Sequence, residues 1–557
     1  MNIVLFFFFF LDIFKNPVTS TFGESRETRY HLGVDFSTFR KKKVPIFFPF
    51  EVEVIRAKIS YEGYGKVLYL KDKNNYIYVL AHLDKFNDLI DSIIFEKLLE
   101  EEKNEIEIFF EEGIKIKENE IVCYAGNTGC LSPHLHLEIR KNMNVALNPF
   151  KFIDITDTIP PYIEKILLIP LSKSIINSSY FPLIIKRGQE KVYGKGEFMI
   201  WVKAYDKWEN GNKTGIYEIK IFKDDSLIFS KKNDSILIDN HREGNYFYFK
   251  DSKYYSRSWF HPLGVSINAN RDLNIKIIVL DYAGNKDSLF FKIENKINGK
   301  TLFRKIIIPS YFYFFDGIVF REGKNVKNVY AILNDEKVQI EKLDMGWYNE
   351  FKWTPPPFFE GKVKFLFEGK ENNEKEIYVF FSEKEIKSKI INGMEIKYKS
   401  PFPSFFYAEI KENKINILPN FAIFDTFLIK KELKEKEYWV YNGKFAGKEY
   451  ALAFKGGIFE TKLDTIPPNF TGNKIIYSKN PFNIRFYVYD KESGIDGNKI
   501  KFYIDGKFFP LYYHPVYGRL NLFKKIKLEK GEHEFSLKIS DRVNNELNIK
   551  GKIIIND

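Results

Sequence analysis

Short apolar runs alternate with turn residues along most of this chain. In the stretch from Tyr61 to Leu83, Gly63 and Gly65 form one break between apolar runs, and Asn74 and Asn75 form another. Runs of this length bounded by Gly and Asn predict strands joined by hairpin turns. A helical spacing of apolar residues follows at Phe86, Leu89, Ile90, Ile93, Ile94 and Leu98. The sequence therefore predicts one helix within a strand-rich region.

The chain of 557 residues is too long for a single hydrophobic core, so its length predicts several domains. Its residues are 44% hydrophobic and 17% aromatic, and the aromatic residues are mostly Phe and Tyr. Phe and Tyr are enriched in strands. Together with the turn spacing, this composition predicts a mainly β fold class.

A repeat marks two later parts of the chain. The motif DTIPP occurs at 157–161 and again at 464–468, and YDK occurs at 205–207 and again at 489–491. A Gly-Ile pair follows each YDK, and an aspartate four residues before an asparagine lies near the end of each copy, at Asp281 with Asn285 and at Asp541 with Asn545. We interpret the two copies as one β-sandwich (Ig-like) module, with an insertion at 241–265 in the first copy.

These signals predict five parts after a short leading segment. They are a first domain at 17–156, a first module at 157–298, a β-sandwich module at 299–384, a β-rich module at 385–463 and a last module at 464–557. The leading segment, 1–16, contains nine consecutive apolar residues from Ile3 to Leu11. That run is too short to span a bilayer and fits a clipped signal peptide, with a buried strand as the alternative. No transmembrane helix is expected elsewhere.

The net charge of +12 raises the question of an anionic partner. The basic residues are dispersed, and the only tight run is Arg40 to Lys43, with no nucleic-acid motif beside it. We therefore expect solvated strand faces and no nucleic-acid partner. The cysteines, Cys123 and Cys130, are too few for a disulfide framework; they either bridge one turn or stay as buried thiols, and thiols are the expectation.

Candidate chemistry is concentrated in the first domain, which holds His31, Asp35, His82, His134 and His136. Residues two apart on a strand face the same side, so the two histidines of PHLH can point into one site. Two imidazoles and one carboxylate suit Zn²⁺ and leave a coordination position open. Each signal alone has an ordinary explanation, a solvated strand face or a structural histidine, and the joint pattern carries the prediction.

The first domain resembles the lysostaphin-type (LytM-like) zinc metallopeptidases, which cut peptide cross-links in bacterial peptidoglycan. The resemblance covers about 17–150 and is carried in order by PVTSTFGESR, HLGVDF, GYGKVLYL, YVLAHL, AGNTGCLSPHLHLEIR and NPF. It is closest to the long branch of that family, in which β-sandwich modules follow the peptidase. The lead-in TGCLSPHLH and the segment FSTFRKKKVP depart from the family pattern, but neither removes a ligand.

The resemblance implies an antiparallel β peptidase domain whose zinc ligands are His31, Asp35 and His136. It places His134 in the catalytic position and His82 in the position of a second active-site histidine. Such residues would act on metal-activated water, with His134 as the base and His82 stabilising the oxyanion. Glu138 faces the same side as His136; it either hydrogen-bonds a ligand imidazole or is an ordinary strand carboxylate, and the second is expected.

Two functions are weighed on this basis. The first is a zinc metalloendopeptidase of the cell envelope, periplasmic or extracellular, that acts on peptidoglycan peptides and contacts other anionic envelope polymers. The second is a non-catalytic envelope-binding or scaffold protein built on a peptidase-like domain. Because all five polar positions are present, the enzyme is the prediction.

Overall fold

The computed structural model describes residues 15–26, 29–208, 211–245, 260–297, 311–314, 316–369, 374–400, 403–411 and 413–556. Most of these residues lie in strands, and the predicted mainly β fold class is confirmed. The predicted signal segment falls almost entirely outside the described residues, as does much of the predicted insertion at 241–265. No helix in the described ranges has the length and apolar character needed to cross a membrane. The predicted domain boundaries remain predictions, and their names are used below for those ranges.

The first domain is built around one antiparallel sheet. Its strands are β1 (Val18–Ser20), β2 (Ser25–Arg26), β3 (Arg29–Tyr30), β4 (Val34–Ser37), β5 (Val44–Phe47), β6 (Val52–Ile59), β7 (Lys66–Lys71), β8 (Ile77–Ala81), β9 (Leu83–Phe86), β10 (Ile106–Ile116), β11 (Ile121–Ala125), β12 (His134–Asn142) and β13 (Val145–Leu147). The sheet order is β1-β4-β12-β8-β7-β6-β10, and β5, β11 and β9 form a small second sheet. The turns predicted at Gly63 to Gly65 and at Asn74 to Asn75 join β6 to β7 and β7 to β8.

The predicted helix is present as α1 (Asp88–Glu100). Asn87 caps its first turn, because the Asn87 side chain accepts a hydrogen bond from the Ile90 N–H at 2.9 Å. Ile90, Ile94 and Leu98 are buried on the side that faces the core of the first domain. A short 3-10 helix, Pro149–Lys151, follows β13. The apolar period therefore located the helix correctly.

The first module continues the β architecture. Its strands are β14 (Tyr162–Pro170), β15 (Ile175–Ile176), β16 (Leu183–Lys186), β17 (Lys191–Lys207), β18 (Lys213–Thr214), β19 (Glu218–Lys223), β20 (Ser226–Lys232), β21 (Ser235–Leu237), β22 (Phe260–Ala269), β23 (Leu273–Leu280) and β24 (Lys286–Glu294), with a 3-10 helix at Ile238–Asn245. Strand β21 pairs with β13, so the module extends the sheet of the first domain.

The next two predicted modules are joined by an 11-stranded sheet, beside a separate 4-stranded sheet. Their strands are β25 (Tyr311–Phe314), β26 (Gly317–Gly323), β27 (Asn328–Leu333), β28 (Glu336–Gln339), β29 (Glu341–Asp344), β30 (Tyr348–Trp353), β31 (Gly361–Glu368), β32 (Glu374–Ser382), β33 (Lys387–Ile391), β34 (Met394–Lys399), β35 (Ser404–Lys411), β36 (Lys414–Lys430), β37 (Glu437–Tyr441), β38 (Lys444–Gly447) and β39 (Tyr450–Leu463). Strand β32 pairs with β35 across residue 384, which joins the two ranges by backbone hydrogen bonds.

The last module folds back against the first domain. Its strands are β40 (Asn469–Thr471), β41 (Ile475–Ser478), β42 (Arg485–Tyr489), β43 (Lys501–Ile504), β44 (Lys507–Phe508), β45 (Leu511–His514), β46 (Arg519–Leu522), β47 (Gly531–Ser540) and β48 (Glu546–Ile555), with a 3-10 helix at Gly497–Lys499. The buried side chain of Asn104 donates to the Ile500 carbonyl at 2.6 Å and accepts from the Leu511 N–H at 2.8 Å. The first domain is therefore held between the two repeated modules.

Candidate metal centre and active site

Strand β12 places the candidate residues on one face of the central sheet. Leu135, Leu137 and Ile139 point into the hydrophobic core, so the alternating residues of HLHLEIR point to the opposite face. In the ladder, His136 lies directly opposite Asp35 on β4 and opposite Ala81 at the end of β8. The register thus brings His136, Asp35 and the residue after β8, His82, to one end of the sheet.

Three side-chain atoms converge at this point. The Nε2 atom of His31 lies 3.1 Å from Asp35 Oδ1 and 3.0 Å from His136 Nδ1, and His136 Nδ1 lies 2.8 Å from Asp35 Oδ1. All three residues are buried. Two imidazole nitrogens and a carboxylate oxygen so close together form a group that can hold a metal ion.

Each of the two imidazoles makes a hydrogen bond through the ring nitrogen that faces away from the proposed metal position. The other nitrogen of each ring is then available as a ligand. His31 donates from Nδ1 to the Thr21 carbonyl at 2.9 Å, which leaves the lone pair on Nε2. His136 donates from Nε2 to Glu138 Oε1 at 3.0 Å, which directs Nδ1 toward Asp35 and His31. Hydrogen bonds of this kind fix the ring orientation and tautomer of a metal-ligating histidine.

The protonation of the cluster also favours a cation. Burial lowers the pKa of His31 to about 4, so this imidazole is neutral at pH 7. Burial alone would raise the pKa of Asp35, but the neighbouring histidines outweigh it and hold that pKa well below its usual range. Burial likewise lowers the pKa of His136, but its hydrogen bonds to Asp35 and Glu138 prevail and raise it to about 9. A cation at this point therefore replaces the proton of His136.

Two further side chains fix Asp35 and His136 from behind. Arg26 donates from Nη2 to Asp35 Oδ2 at 2.9 Å, which turns Oδ1 toward the imidazoles. Glu138 is fully buried and accepts from His136, from the Tyr64 hydroxyl and, at 2.8 and 2.6 Å, from Arg140 Nε and Nη2. The expectation that Glu138 is an ordinary strand carboxylate was wrong, because the strand alternation places it beneath His136 with a buried guanidinium as counter-ion.

The structure places His134 and His82 together beside the ligand cluster. Their ring centroids are 4.7 Å apart, and His134 Nε2 lies 3.7 Å from Asp35 Oδ1. His134 donates from Nδ1 to the Ser132 carbonyl, and His82 donates from Nδ1 to the Thr128 carbonyl, each at 2.8 Å. Burial and the neighbouring His134 lower the pKa of His82 to about 3, so a neutral His82 presents a lone pair on Nε2. Both rings therefore offer a proton acceptor to the site.

An open cleft of about 750 Å³ gives access to these groups. One wall is formed by the Gly63 to Tyr64 turn and another by Gly129 and Cys130. A third wall comes from the first module, through Ile238 and His241 of the 3-10 helix. The first module thus contributes directly to the surface around the candidate site.

The cysteines are both free thiols, so the bridged alternative is not formed. Cys123 is buried in the core, whereas Cys130 is half-buried with its Sγ 3.9 Å from His134 Nδ1. Burial, reinforced by Asp35, raises the pKa of the Cys130 thiol to about 12. Without a bound metal this group is therefore a thiol at neutral pH, although its sulfur lies close enough to nitrogen atoms of His82 and His134 for the three to hold a metal ion.

Gly33 has a role that the sequence analysis missed. A Cβ atom on Gly33 would lie 2.4 Å from the Leu137 carbonyl oxygen and 2.9 Å from His136 Cε1. A side chain at this position would therefore push β4 and β12 apart or displace the ligand ring. The signal was present in HLGVD, where the only glycine lies between the two candidate ligands.

Comparisons with family models, curated proteins and solved structures gave matches only among the solved structures. No protein-family model matches the chain, and no curated protein matches it significantly. Among solved structures, it is similar to the catalytic domain of the prophage-encoded M23 protein EnpA from Enterococcus faecalis, at 20% identity over 24% of this chain and 87% of that chain, with a TM-score of 0.18. It is also similar to Sidekick-1 immunoglobulin domains 1–4, at 10% identity over 72% of this chain and 100% of that chain, with a TM-score of 0.13. Similarities this low leave any functional assignment to the geometry of the site.

Proposed function

We propose that this chain is a zinc-dependent endopeptidase of the cell envelope that hydrolyses peptide cross-links of peptidoglycan. The observation that carries the proposal is the convergence of His31 Nε2, Asp35 Oδ1 and His136 Nδ1 within 2.8–3.1 Å, beside an open cleft. Two imidazole nitrogens and one carboxylate oxygen are a ligand set that suits zinc, so His31, Asp35 and His136 would hold the ion at this point. Peptidoglycan as the substrate rests on the sequence resemblance to lysostaphin-type peptidases.

The three ligands leave one side of the site facing the cleft, where His134 and His82 lie. When bound, Zn²⁺ polarises a scissile carbonyl and activates water for attack. His134 accepts the proton of that water at Nε2, because its Nδ1 is engaged with the Ser132 carbonyl. His82 must first gain a proton on Nε2 before it can donate a hydrogen bond to an oxyanion, because its Nδ1–H is already donated to Thr128. His134 is therefore the better base, and His82 assists as a donor only after protonation.

The decisive experiment measures zinc per chain and the digestion of purified peptidoglycan with the same protein preparations. We expect one zinc per wild-type chain. We expect His134→Ala to keep its zinc and lose about 10²–10⁴-fold in digestion rate, the usual contribution of a general base. His533→Ala is the matched control, because His533 is paired with Asp505 in the last module, far along the chain from the site.

Two outcomes would contradict the proposal at different levels. A folded wild-type chain without zinc removes the metallopeptidase and leaves the scaffold alternative. A chain with full zinc that does not digest peptidoglycan but cleaves other peptides contradicts only the substrate. Loss of zinc in His134→Ala would mean that His134 is a ligand, and the proposed division of roles would then be wrong.

A further inference from the structure

Both repeated modules gather three aspartates at corresponding positions. In each group, carboxylate oxygens lie within 4.8 Å of one another. The groups are Asp157, Asp206 and Asp281 in the first module, and Asp464, Asp490 and Asp541 in the last. The first aspartate of each group begins DTIPP, the second belongs to YDK, and the third precedes the asparagine near the module's end. The two copies therefore share the spatial grouping of the three aspartates as well as the motifs that contain them.

The hydrogen bonding within the two groups is nearly the same. Asn285 Nδ2 donates to Asp281 Oδ2 at 2.8 Å and to the Asp157 carbonyl at 2.9 Å. Asn545 Nδ2 donates to Asp541 Oδ2 at 2.7 Å and to the Asp464 carbonyl at 3.0 Å. In both modules an asparagine therefore ties the entry segment to the final turn and positions one carboxylate of the group.

The asparagine amides bring no positive charge to either group. Asp206 and Asp281 are buried, and within the described ranges neither forms a salt bridge. Burial and the neighbouring Asp157 raise the pKa of Asp206 to about 8, as expected when carboxylates crowd together without a cation. Carboxylates crowded in this way repel one another when they ionise, and a cation among them relieves that repulsion.

A buried hydroxyl without a hydrogen-bond partner lies beside each group. Thr214 Oγ1 and Ser493 Oγ occupy the same repeat position, immediately before the Gly-Ile pair, and are 0% and 1% exposed. In the described part of the chain neither oxygen has a hydrogen-bond partner. Thr214 is the cross-strand partner of Asp206, so their side chains share a face, and the Ser493 N–H donates to Asp464 Oδ2 at 3.1 Å. Buried hydroxyls are usually hydrogen-bonded, and these two lack a partner at the same repeat position in both modules, which fits a ligand shared with the aspartates.

We propose that each repeated module binds one calcium ion at its aspartate group. Carboxylates and a hydroxyl supply only oxygen ligands, which are those of a hard cation. Carboxylate oxygens within 4.8 Å of one another can share a calcium ion, because Ca–O distances are 2.3–2.6 Å, and a site enclosed by side chains suits calcium better than Mg²⁺, which usually keeps several waters. A small cavity of about 10 Å³, lined in part by Asp157 and Asp206, adjoins the first group and has about the volume that one small occupant needs.

Each proposed ion would link the first segment of its module to the last turn of the same module. Asp157 and Asp464 each begin the segment that enters a repeated module, whereas Asp281 and Asp541 lie in its last turn. A shared ion crosslinks these segments and relieves the repulsion among the carboxylates. Since the two modules also hold the first domain between them, calcium would stiffen the frame around the cleft without taking part in peptide hydrolysis.

The test is calcium binding to the full-length, zinc-loaded protein, measured by equilibrium dialysis with radioactive calcium. We expect two calcium ions per wild-type chain, one in Asp206→Asn, one in Asp490→Asn and none in the double variant. Asp225→Asn, which changes an exposed turn aspartate of the first module, is the control and keeps both. No binding to the wild type, or two ions in the double variant, would overturn the proposal, and stronger binding of Mg²⁺ would overturn the choice of calcium.

Thermal unfolding of the same proteins separates ion binding from a purely structural role. Calcium should raise the Tm of the wild type and leave the Tm of the double variant unchanged. Without calcium, the double variant should unfold at the same or a higher temperature than the wild type, because each substitution reduces the repulsion among the carboxylates of its group. If the aspartates only accept hydrogen bonds within the module, the double variant will be less stable than the wild type with and without calcium. Calcium will then change the Tm of neither protein, and this result overturns the proposal.

Discussion

Replacing Glu138 with glutamine tests whether the Glu138 carboxylate supports His136 as a zinc ligand. Glutamine has nearly the same shape as glutamate, so the packing of this fully buried position should be kept. The substitution removes the negative charge that accepts the His136 Nε2–H at 3.0 Å and leaves Arg140, which donates twice to Glu138, without its carboxylate. The ligand residues themselves are untouched.

The structure sets both the direction and the size of the effect. Burial would raise the pKa of Glu138, but Arg140 and His136 outweigh it and lower the pKa to about 2, so the carboxylate is ionised throughout the neutral range. Its charge makes His136 a stronger ligand and fixes its ring. Loss of such a partner weakens metal binding by 10–100-fold, or about 1.4–2.7 kcal/mol.

The assay is competition for zinc against a chromogenic chelator of known affinity, with circular dichroism and Tm measured on the same samples. Glu112→Gln is the matched control, since Glu112 is an exposed strand glutamate of the first domain. Tyr64→Phe is informative as a smaller change, because it removes one hydrogen bond to Glu138 and keeps the charge. We expect its zinc affinity to lie between those of the wild type and Glu138→Gln.

One result would refute this reasoning. If Glu138→Gln is folded and binds zinc within a factor of two of the wild type, then Glu138 does not support a zinc ligand. Its hydrogen bond to His136 would then be a feature of packing alone. A variant that is unfolded in both the presence and the absence of zinc would shift the test to Tyr64→Phe.

Three further changes have expected outcomes. Gly33→Ala should reduce zinc affinity and lower the free energy of unfolding by about 1–3 kcal/mol, because the new methyl group overpacks the contact with β12; zinc titration and urea unfolding measure both, and unchanged values would contradict the close approach. Asn104→Ala should destabilise the protein by about 1–3 kcal/mol for each of the two buried backbone groups left unpaired, whereas the exposed Asn74→Ala should have little effect in the same unfolding assay. Cys130→Ser should leave one zinc per chain by elemental analysis, and a lower content would make the thiol a ligand.

The sequence located the strands, the helix and the five polar residues by local rules. Alternation along HLHLEIR sets which residues of β12 face the site, and helical spacing found α1 because Ile90, Ile94 and Leu98 must share a buried face. Glycine and asparagine identified the turns at Gly63 to Gly65 and Asn74 to Asn75, since Gly63, Gly65 and Asn75 adopt positive φ. Each of these inferences needs only the geometry of one element.

The sequence could not show which side chains surround the candidate ligands. Glu138 is two residues from His136 and was expected to be an ordinary carboxylate, because nothing in a strand pattern says that Arg140 and Tyr64 close around it. Arg26 and Asp35 are separated by nine residues with no pattern that links them. Their contact depends on how the segment before β4 folds over the end of the sheet.

The sequence by itself determined the β architecture, the repeated motifs and the identity of the polar side chains, because these follow from periodicity and from motifs a few residues long. The tertiary structure decided which atoms meet: His31, Asp35 and His136 at one point, Glu138 beneath them, and three aspartates together in each repeated module. Those groups contain residues up to 124 positions apart in the sequence, as with Asp157 and Asp281. Strand register and packing set them, and no local pattern encodes a distance across the sheet.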